Sequence, residues 1–113
     1  MDRSTLLSNI LSEMRRGTLT LAVLSQLKQP CYGYSLLQQL EQKSTSIEPG
    51  TLYPLLRRLE AQGLLESRWD TAESRPRKYY MLSEQGLQLY ENLKVEWQRI
   101  CQEMDGLLKE DNA

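Results

Sequence analysis

The chain has 113 residues and a formal net charge of −1. This length suits one domain that buries roughly two-thirds of the surface of its unfolded chain, so a partner subunit would add stability. No apolar run reaches the roughly 20 residues of a membrane span. Residues 1–16 carry serines, an asparagine and charges where a signal peptide would have its apolar block. We therefore expect a cytoplasmic protein with no membrane partner.

The residue types argue against an enzyme. The sequence contains no histidine, which is the commonest general base and metal ligand, and it shows no nucleophile with a matching base. Its two cysteines, Cys31 and Cys101, lie 70 positions apart without a CxxC motif. That spacing favours reduced thiols packed in the core over a disulfide framework. We expect no catalytic residue, no metal and no cofactor.

The charges are unevenly distributed along the chain. Residues 1–80 hold 11 Lys and Arg against 8 Asp and Glu, whereas residues 81–113 hold 3 against 7. Domains that bind any polyanion usually have a strong basic excess, which this chain lacks. A nucleic-acid surface, if present, belongs to the first two-thirds of the chain.

The first predicted elements are helices. Apolar residues recur at helical spacing over the first 28 residues, until Gln29 and Pro30 end the pattern. Gly17 either divides this segment into two helices or lies within one long helix, at a cost of about 1 kcal/mol relative to alanine. A second, short amphipathic helix is predicted from about Gly33 to Lys43.

A third helix is predicted to begin between Pro49 and Leu52 and to end at Gly63, the usual C-terminal stop. Its leucines form one stripe, and its polar residues fall largely elsewhere. Pro54 has no backbone N–H, so we expect it in the first turn, unless the helix is kinked there.

A β-hairpin and a long helix complete the chain. The predicted strands are Leu64–Trp69 and Arg77–Leu82, joined by residues 70–76, with Tyr80 and Leu82 facing inward. Ser83 is a natural N-cap for a helix that extends to about Lys109. Apolar residues on this helix follow 3-4 spacing, which predicts a seam against another helix. The seam consists of Tyr90, Leu93, Trp97, Ile100, Met104 and Leu107.

This order of elements is that of an α+β, mostly helical winged helix-turn-helix with a long C-terminal dimerisation helix. The order alone is a weak signal, because many small domains share it without touching DNA. The motifs YGYSL (32–36), PGTLYPLLRRLEAQGLL (49–65) and RPRKYYMLSEQG (75–86), with Trp97 downstream, are more specific. Together they resemble the PadR family of transcriptional regulators over nearly the whole chain.

The resemblance implies a homodimeric DNA-binding regulator, generally a repressor, that a small aromatic or hydrophobic effector or another cue releases from its operator. It implies a winged-helix domain over 1–82 and a dimerisation helix over 83–109, and we expect residues 110–113 to fray. Two positions depart from the family pattern: Ser35 stands where an acidic residue is common, and Ser74 where glycine is common. The second departure bears on the turn at the hairpin tip, because serine tolerates positive φ less well than glycine.

The predicted DNA contacts lie on the second helix, the third helix and the hairpin. Arg57 can bond guanine bidentately in the major groove, and hydroxyls and cations around it can contact phosphates or base edges. The alternative is an ordinary solvated helix face, and Arg58 could instead pair with Glu60 or Glu66. The predicted DNA-binding residues are Tyr34, Ser35, Thr51, Tyr53, Arg57, Arg58, Arg75, Arg77 and Lys78.

The dimer and its effector site are predicted on the first and last helices. Trp97 is either interface filler or one wall of a cavity between subunits, as the resemblance implies. The predicted dimer contacts are Leu7, Ile10, Tyr90, Leu93, Trp97, Ile100, Met104 and Leu107. The predicted effector contacts are Leu11, Met14, Leu93, Trp97, Ile100 and Cys101, whose simpler role is core.

The predicted partners are a second copy of the chain, a pseudo-palindromic double-stranded operator and a small effector. The rival hypothesis is a winged-helix protein-interaction module that does not bind DNA, which the slight net negative charge keeps open.

Overall fold

The computed structural model describes residues 2–109, so the fraying expected of residues 110–113 lies outside the described part. The described chain measures 61 × 35 × 24 Å. It has four helices and a small antiparallel sheet, which confirms the mostly helical α+β winged-helix fold. The elements in chain order are α1 (Arg3–Ser25), β1 (Cys31–Tyr32), α2 (Gly33–Gln42), α3 (Pro49–Ala61), β2 (Leu65–Asp70), β3 (Arg77–Leu82) and α4 (Glu84–Lys109).

The first segment is one continuous helix, which decides the alternative that the sequence left open. Gly17 lies within α1, and a Cβ at this position would have nothing within 4 Å. Asp2 caps the helix by accepting a hydrogen bond of 2.8 Å from the backbone N–H of Thr5. Every residue from Asp2 to Gly17 is exposed, so the core holds only the last part of α1.

The sheet contains a strand that the sequence did not predict. The two residues of β1 pair with β3, placing Cys31 opposite Tyr80 and Tyr32 opposite Tyr79, in the order β1-β3-β2. β2 begins at Leu65 and ends at Asp70, one residue later at each end than expected. β3 has the predicted bounds.

The core lies where α1, α2 and α3 meet the sheet and the start of α4. Tyr80 and Leu82 face inward as predicted, and no polar or charged side chain is buried within the described residues. Burial raises the pKa of the Cys31 thiol, in keeping with a role inside the core. The core side chains are Val23, Leu24, Leu27, Cys31, Leu36, Leu40, Leu52, Leu55, Leu56, Leu59, Leu64, Leu65, Tyr80, Leu82 and Tyr90.

The position predicted for Pro54 is wrong. α3 begins at Pro49, which takes the first helical position, where a missing N–H costs nothing. Pro54 therefore lies inside the helix, in its second turn, and leaves the carbonyl of Gly50 without the usual helical donor. Both residues are exposed, so water or a ligand can reach that carbonyl.

The joint between the hairpin and α4 depends on close backbone contact. The Ser83 hydroxyl donates to the Gly63 carbonyl at 2.6 Å and accepts from the Gly86 N–H at 3.0 Å, which confirms Ser83 as N-cap. A Cβ on Gly86 would lie 1.9 Å from the Leu64 carbonyl oxygen. Only glycine therefore lets α4 begin at this point on the sheet.

The turn between α2 and α3 contains the one described non-glycine residue with positive φ, Ser44, at 63°. The N–H of Ser44 donates to the Glu41 carbonyl at 3.0 Å, and that of Thr45 donates to the Leu40 carbonyl at 2.7 Å. This pair of bonds is a Schellman motif, in which glycine usually holds the left-handed position. Ser74 at the hairpin tip has no such φ, so the strain expected there is absent.

We predict that Ser44→Gly raises the free energy of unfolding by about 0.5–1 kcal/mol, because glycine takes positive φ without a Cβ clash. The matched change is Gly63→Ser, since Gly63 ends α3 in the same motif with φ 80°. It should lower stability by a similar amount. Urea unfolding at one fixed protein concentration measures both; a less stable Ser44→Gly variant would contradict the argument.

Candidate nucleic-acid interface

The outward face of α3 is basic and unpaired. Four buried leucines hold the helix against the core, which leaves Arg57 and Arg58 exposed. Within residues 2–109 neither guanidinium lies within 4 Å of a carboxylate. The pairs considered for Arg58, with Glu60 or Glu66, are therefore not formed. Both arginines are free to meet an anion.

The ring of Tyr53, a residue of α3, packs against Gly33 at the start of α2. A Cβ on Gly33 would be 2.6 Å from the Tyr53 ring, so this glycine allows the two helices to approach. Sequence analysis did not single out Gly33, although the motif YGYSL contains it. Tyr53 is half-buried, whereas Thr51, two residues earlier, is exposed.

An aromatic cleft of about 250 Å³ lies between the start of α2, Tyr53 of α3 and the hairpin. It combines aromatic rings, tyrosine hydroxyls and two cations, which suits a sugar-phosphate strand better than an apolar ligand. Trp69 is 63% exposed beside it and was not predicted as a site residue. Ser35 does not line the cleft. The lining residues are Tyr32, Gly33, Tyr34, Tyr53, Trp69, Arg77, Lys78 and Tyr80.

Tyr32 attaches the loop end of the hairpin to the start of α2. Its hydroxyl donates to Asp70 at 2.5 Å, and the Arg77 guanidinium carbon lies 4.2 Å from the centre of its ring. This hydrogen bond raises the pKa of Tyr32 and lowers the pKa of Asp70. Arg77 also lies 3.8 Å from Glu73. Arg77 is therefore held at the cleft by neighbours and is only partly neutralised.

Lys78 is engaged within the chain. Its ammonium lies 3.4 Å from Glu60 on the last turn of α3, and the other oxygen of Glu60 accepts a hydrogen bond from Ser67 on β2. One carboxylate thus binds both strands of the hairpin to α3. Lys78 stays a predicted phosphate contact, but it must leave or share Glu60 to serve as one. Arg75, at the hairpin tip, is exposed.

The seam predicted on α4 is only partly exposed. Tyr90 is 8% exposed and Leu93 is partly buried, because both pack within their own chain. The expectation that Tyr90 forms a dimer contact is therefore corrected: α1 covers the beginning of α4. The remaining seam residues and the start of α1 stay exposed, namely Leu7, Ile10, Leu11, Met14, Trp97, Ile100, Met104 and Leu107.

A second groove, of about 410 Å³, runs between α1 and α4. Four of the predicted effector residues line it, whereas Leu11 and Cys101 do not. Sequence analysis missed its small residues, although Gly17 leaves a gap one turn after Met14 that could have been noticed. The lining consists of Met14, Gly17, Thr18, Thr20, Leu21, Leu93, Glu96, Trp97 and Ile100.

Comparison with known proteins identifies the family. The sequence profile of the transcriptional regulator PadR-like family matches residues 20–92. The structure of a PadR family transcriptional regulator from Eggerthella lenta DSM 2243 is similar, with a TM-score of 0.86 and 46% identity over 93% of this chain and 94% of that one. This chain belongs to the PadR-like family of transcriptional regulators.

Two further PadR structures are similar at lower identity. A PadR-like transcription factor from Bacteroides fragilis has a TM-score of 0.75 and 32% identity over 88% of this chain and 98% of that one. A PadR family regulator from Clostridium difficile R20291 has a TM-score of 0.72 and 33% identity over 79% and 96%, respectively. A comparison with curated proteins gave no match. Within residues 2–109, no helix is long and apolar enough to cross a membrane.

The PadR-like family is one of transcriptional regulators, which is not an enzyme class. Its profile covers residues 20–92, which include every residue that lines the aromatic cleft. The basic face of α3 and the cleft beside it therefore form the candidate DNA surface of a PadR-like regulator.

We predict that Glu60→Gln tightens binding to specific and random DNA alike, because Lys78 is released from its partner while an amide can still accept from Ser67. The expected gain is about 0.2–1 kcal/mol per protomer, the range of partly exposed ion pairs. Fluorescence anisotropy at several salt concentrations measures it. Glu66→Gln is the matched control, since it removes an exposed charge from the neighbouring strand. Equal gains from both variants would show a general charge effect instead.

Proposed function

We propose that the chain is a homodimeric, sequence-specific DNA-binding repressor of the cytoplasm, released from its operator by a small hydrophobic or aromatic effector. The observation that carries the proposal is the position of Arg57: exposed on α3, without an ion-pair partner among the described residues, and on the helix that borders the aromatic cleft. Guanidinium groups at such positions bond guanine O6 and N7.

The proposed DNA contacts are of two kinds. Arg57 and Arg58 extend from α3, where a recognition helix meets base edges in the major groove. Tyr34, Arg77 and Lys78 surround the cleft between that helix and the hairpin, where a backbone would pass. The side chains of α3 would thus read the bases, and the contacts to phosphates beside the helix would fix the position of the protein along the DNA.

We predict a pseudo-palindromic operator whose half-sites are about 10 bp apart or a small multiple of this, as two-fold symmetry requires. Arg57→Ala should relax base preference at one position per half-site and cost about 1–3 kcal/mol per contact. Arg75→Ala, at the hairpin tip, should weaken all sequences alike. Binding to mutated operators and to random DNA measures both. Equal losses from Arg57→Ala on operator and random DNA would refute base readout; no binding at all by the wild type would favour the protein-interaction module.

The dimer is proposed from two exposed apolar faces. The first turns of α1 and the second half of α4 expose large side chains that a monomer would leave in water. Trp97, Ile100 and Met104 lie on one side of α4 at 3-4 spacing, the pattern of helix pairing. A second copy can cover them with its own α1 and α4.

We predict that the double variant Trp97→Glu, Ile100→Glu has half the wild-type mass in light scattering, because two buried charges would be unpaired in the interface. Val95→Glu is the control: Val95 is also exposed on α4 but lies on the opposite side of the helix. It should leave the dimer intact. A double variant with the wild-type mass would place the interface elsewhere.

The effector site is proposed at the groove between α1 and α4. It is mainly apolar, offers the ring of Trp97 for stacking, and continues into the exposed faces that a second copy would cover. A ligand there would act only through its difference in affinity for two dimer states, and near-complete release requires about 5.5 kcal/mol.

Tryptophan fluorescence tests the effector proposal. The chain has two tryptophans, so Trp69→Phe leaves Trp97 as the reporter. Saturable quenching by a phenolic acid, planar dye or hydrophobic drug, matched by release of DNA, supports it. Quenching without a change in DNA affinity contradicts it.

A further inference from the structure

We propose that Arg15 and Arg16 of α1 bind backbone phosphates of the DNA, on the side of α3 that faces away from the hairpin. The proposal rests on the proposed DNA binding and extends it to a helix whose arginines the predicted interface does not include. It is carried by a groove between α1, the turn before α3 and the first turns of α3.

Two adjoining depressions form this groove. One, of about 330 Å³, lies between α1 and the turn that precedes α3. The other, of about 370 Å³, lies between α1 and the exposed side of α3. Arg16, Leu19 and Thr51 line both, so the two depressions are continuous, and we call them together the arginine groove. Arg15 lines the first and Arg58 the second.

The chemistry of the arginine groove fits phosphate. Arg15, Arg16 and Arg58 contribute three guanidinium groups, and none of them makes an ion pair within residues 2–109. Glu48 is the one carboxylate residue among the lining residues, so cations exceed anions there. Hydroxyls of Thr20, Thr45, Ser46 and Thr51 complete the polar lining, whereas those of Ser12 and Thr18 donate to the carbonyls of Ser8 and Arg15 in their own helix. Arginine and hydroxyl groups are the usual donors to DNA phosphates.

The shape of α3 leaves the groove open to a backbone. Gly50 and Pro54 form part of its wall, and a Cβ on Gly50 would have nothing within 4 Å. No long side chain of α3 therefore separates Arg16 from a strand that passes the helix. Arg58 borders the same depression one turn later.

The proposed dimer would leave the arginine groove uncovered. At about 100° per residue, Arg16 lies about 160° around α1 from Met14, and Arg15 about 140° from Ile10, so both point away from the line that these two apolar residues form. The apolar side faces the second copy in the proposed dimer, and the basic side faces the start of α3. α3 would thus be flanked by cations on both sides: the hairpin and aromatic cleft on one, α1 on the other.

The test is the salt dependence of DNA binding by the double variant Arg15→Gln, Arg16→Gln. The slope of log K against log salt is negative, and its magnitude should fall by about 0.9 for each phosphate that the variant no longer neutralises, or about 3.6 for two arginines in both protomers. Operator and random DNA should lose affinity by the same factor. Arg3→Gln is the control, because it removes one positive charge, half of what the double variant removes, from the same helix roughly 18 Å away at 1.5 Å per residue. It should change the slope little.

Two further measurements locate the phosphate contact and name the source of phosphate. Hydroxyl-radical footprints should lose protection at the edge of each half-site away from the hairpin in the double variant only. Pyrophosphate, titrated by calorimetry, is the free-phosphate probe. Loss of pyrophosphate binding with an unchanged DNA slope would overturn the proposal in favour of a small phosphorylated ligand.

The remaining outcomes are separable. A double variant that binds DNA with the wild-type slope and footprint overturns the role of Arg15 and Arg16 but leaves the repressor function intact. If Arg3→Gln reduces the magnitude of the salt slope as much per charge removed as the double variant does, the effect is one of long-range charge and not of contact. That result also overturns the proposal. A wild type that binds no DNA refutes the proposed function and this extension together. Circular dichroism verifies that each variant is folded.

Discussion

The burial of one face of α3 is the constraint on which the candidate site depends. Leu52, Leu55, Leu56 and Leu59 are all buried, so the helix cannot rotate without exposing them. Four buried leucines correspond to several kcal/mol of apolar burial, far more than any contact on the opposite face. The direction of Arg57 is therefore set by the core. Specific readout of a base requires this kind of fixed direction.

The base of the hairpin is fixed in the core by Leu65, Tyr80 and Leu82, whereas its outer part is attached to α3 and to the start of α2 by weaker interactions. Glu60 binds Lys78 and Ser67, and Tyr32 binds Asp70, all with partly exposed side chains. Such contacts contribute about 0.2–1 kcal/mol each, so they orient the hairpin without locking it. The outer part of the hairpin can thus adjust to a DNA backbone, whereas α3 and the base of the hairpin stay fixed by the core.

Local patterns explain what the sequence predicted well. The leucine stripe of α3, the alternation of β3 and the Ser83 cap each depend on neighbours a few residues away, and all three were located from the sequence. Features set by distant partners were missed. β1 has two residues and exists only because β3 pairs with it, and the partner of Glu60 lies 18 residues along the chain.

The same distinction applies to the candidate site. Sequence spacing places Tyr90 on the seam of α4, but only the folded chain shows that α1 covers it. The sequence likewise shows that Arg15 and Arg16 are basic residues, which are usually exposed. It does not show that the start of α3 lies beside them. The chemistry of each side chain can be read from the sequence, whereas the residues that each side chain meets in the folded chain cannot.

Because α1 is one helix, its two sides cannot move independently. Met14 and Gly17 line the groove beside Trp97, and Arg15 and Arg16, between them in sequence, line the arginine groove on the other side. A ligand that shifts α1 against α4 therefore shifts the two arginines against α3 as well. The effect on DNA equals the difference in ligand affinity between the two positions of the helix. One turn of α1 thus joins the proposed effector groove to the proposed phosphate contacts, and the core residues Val23 and Leu24 at the other end of the helix limit how far it can shift.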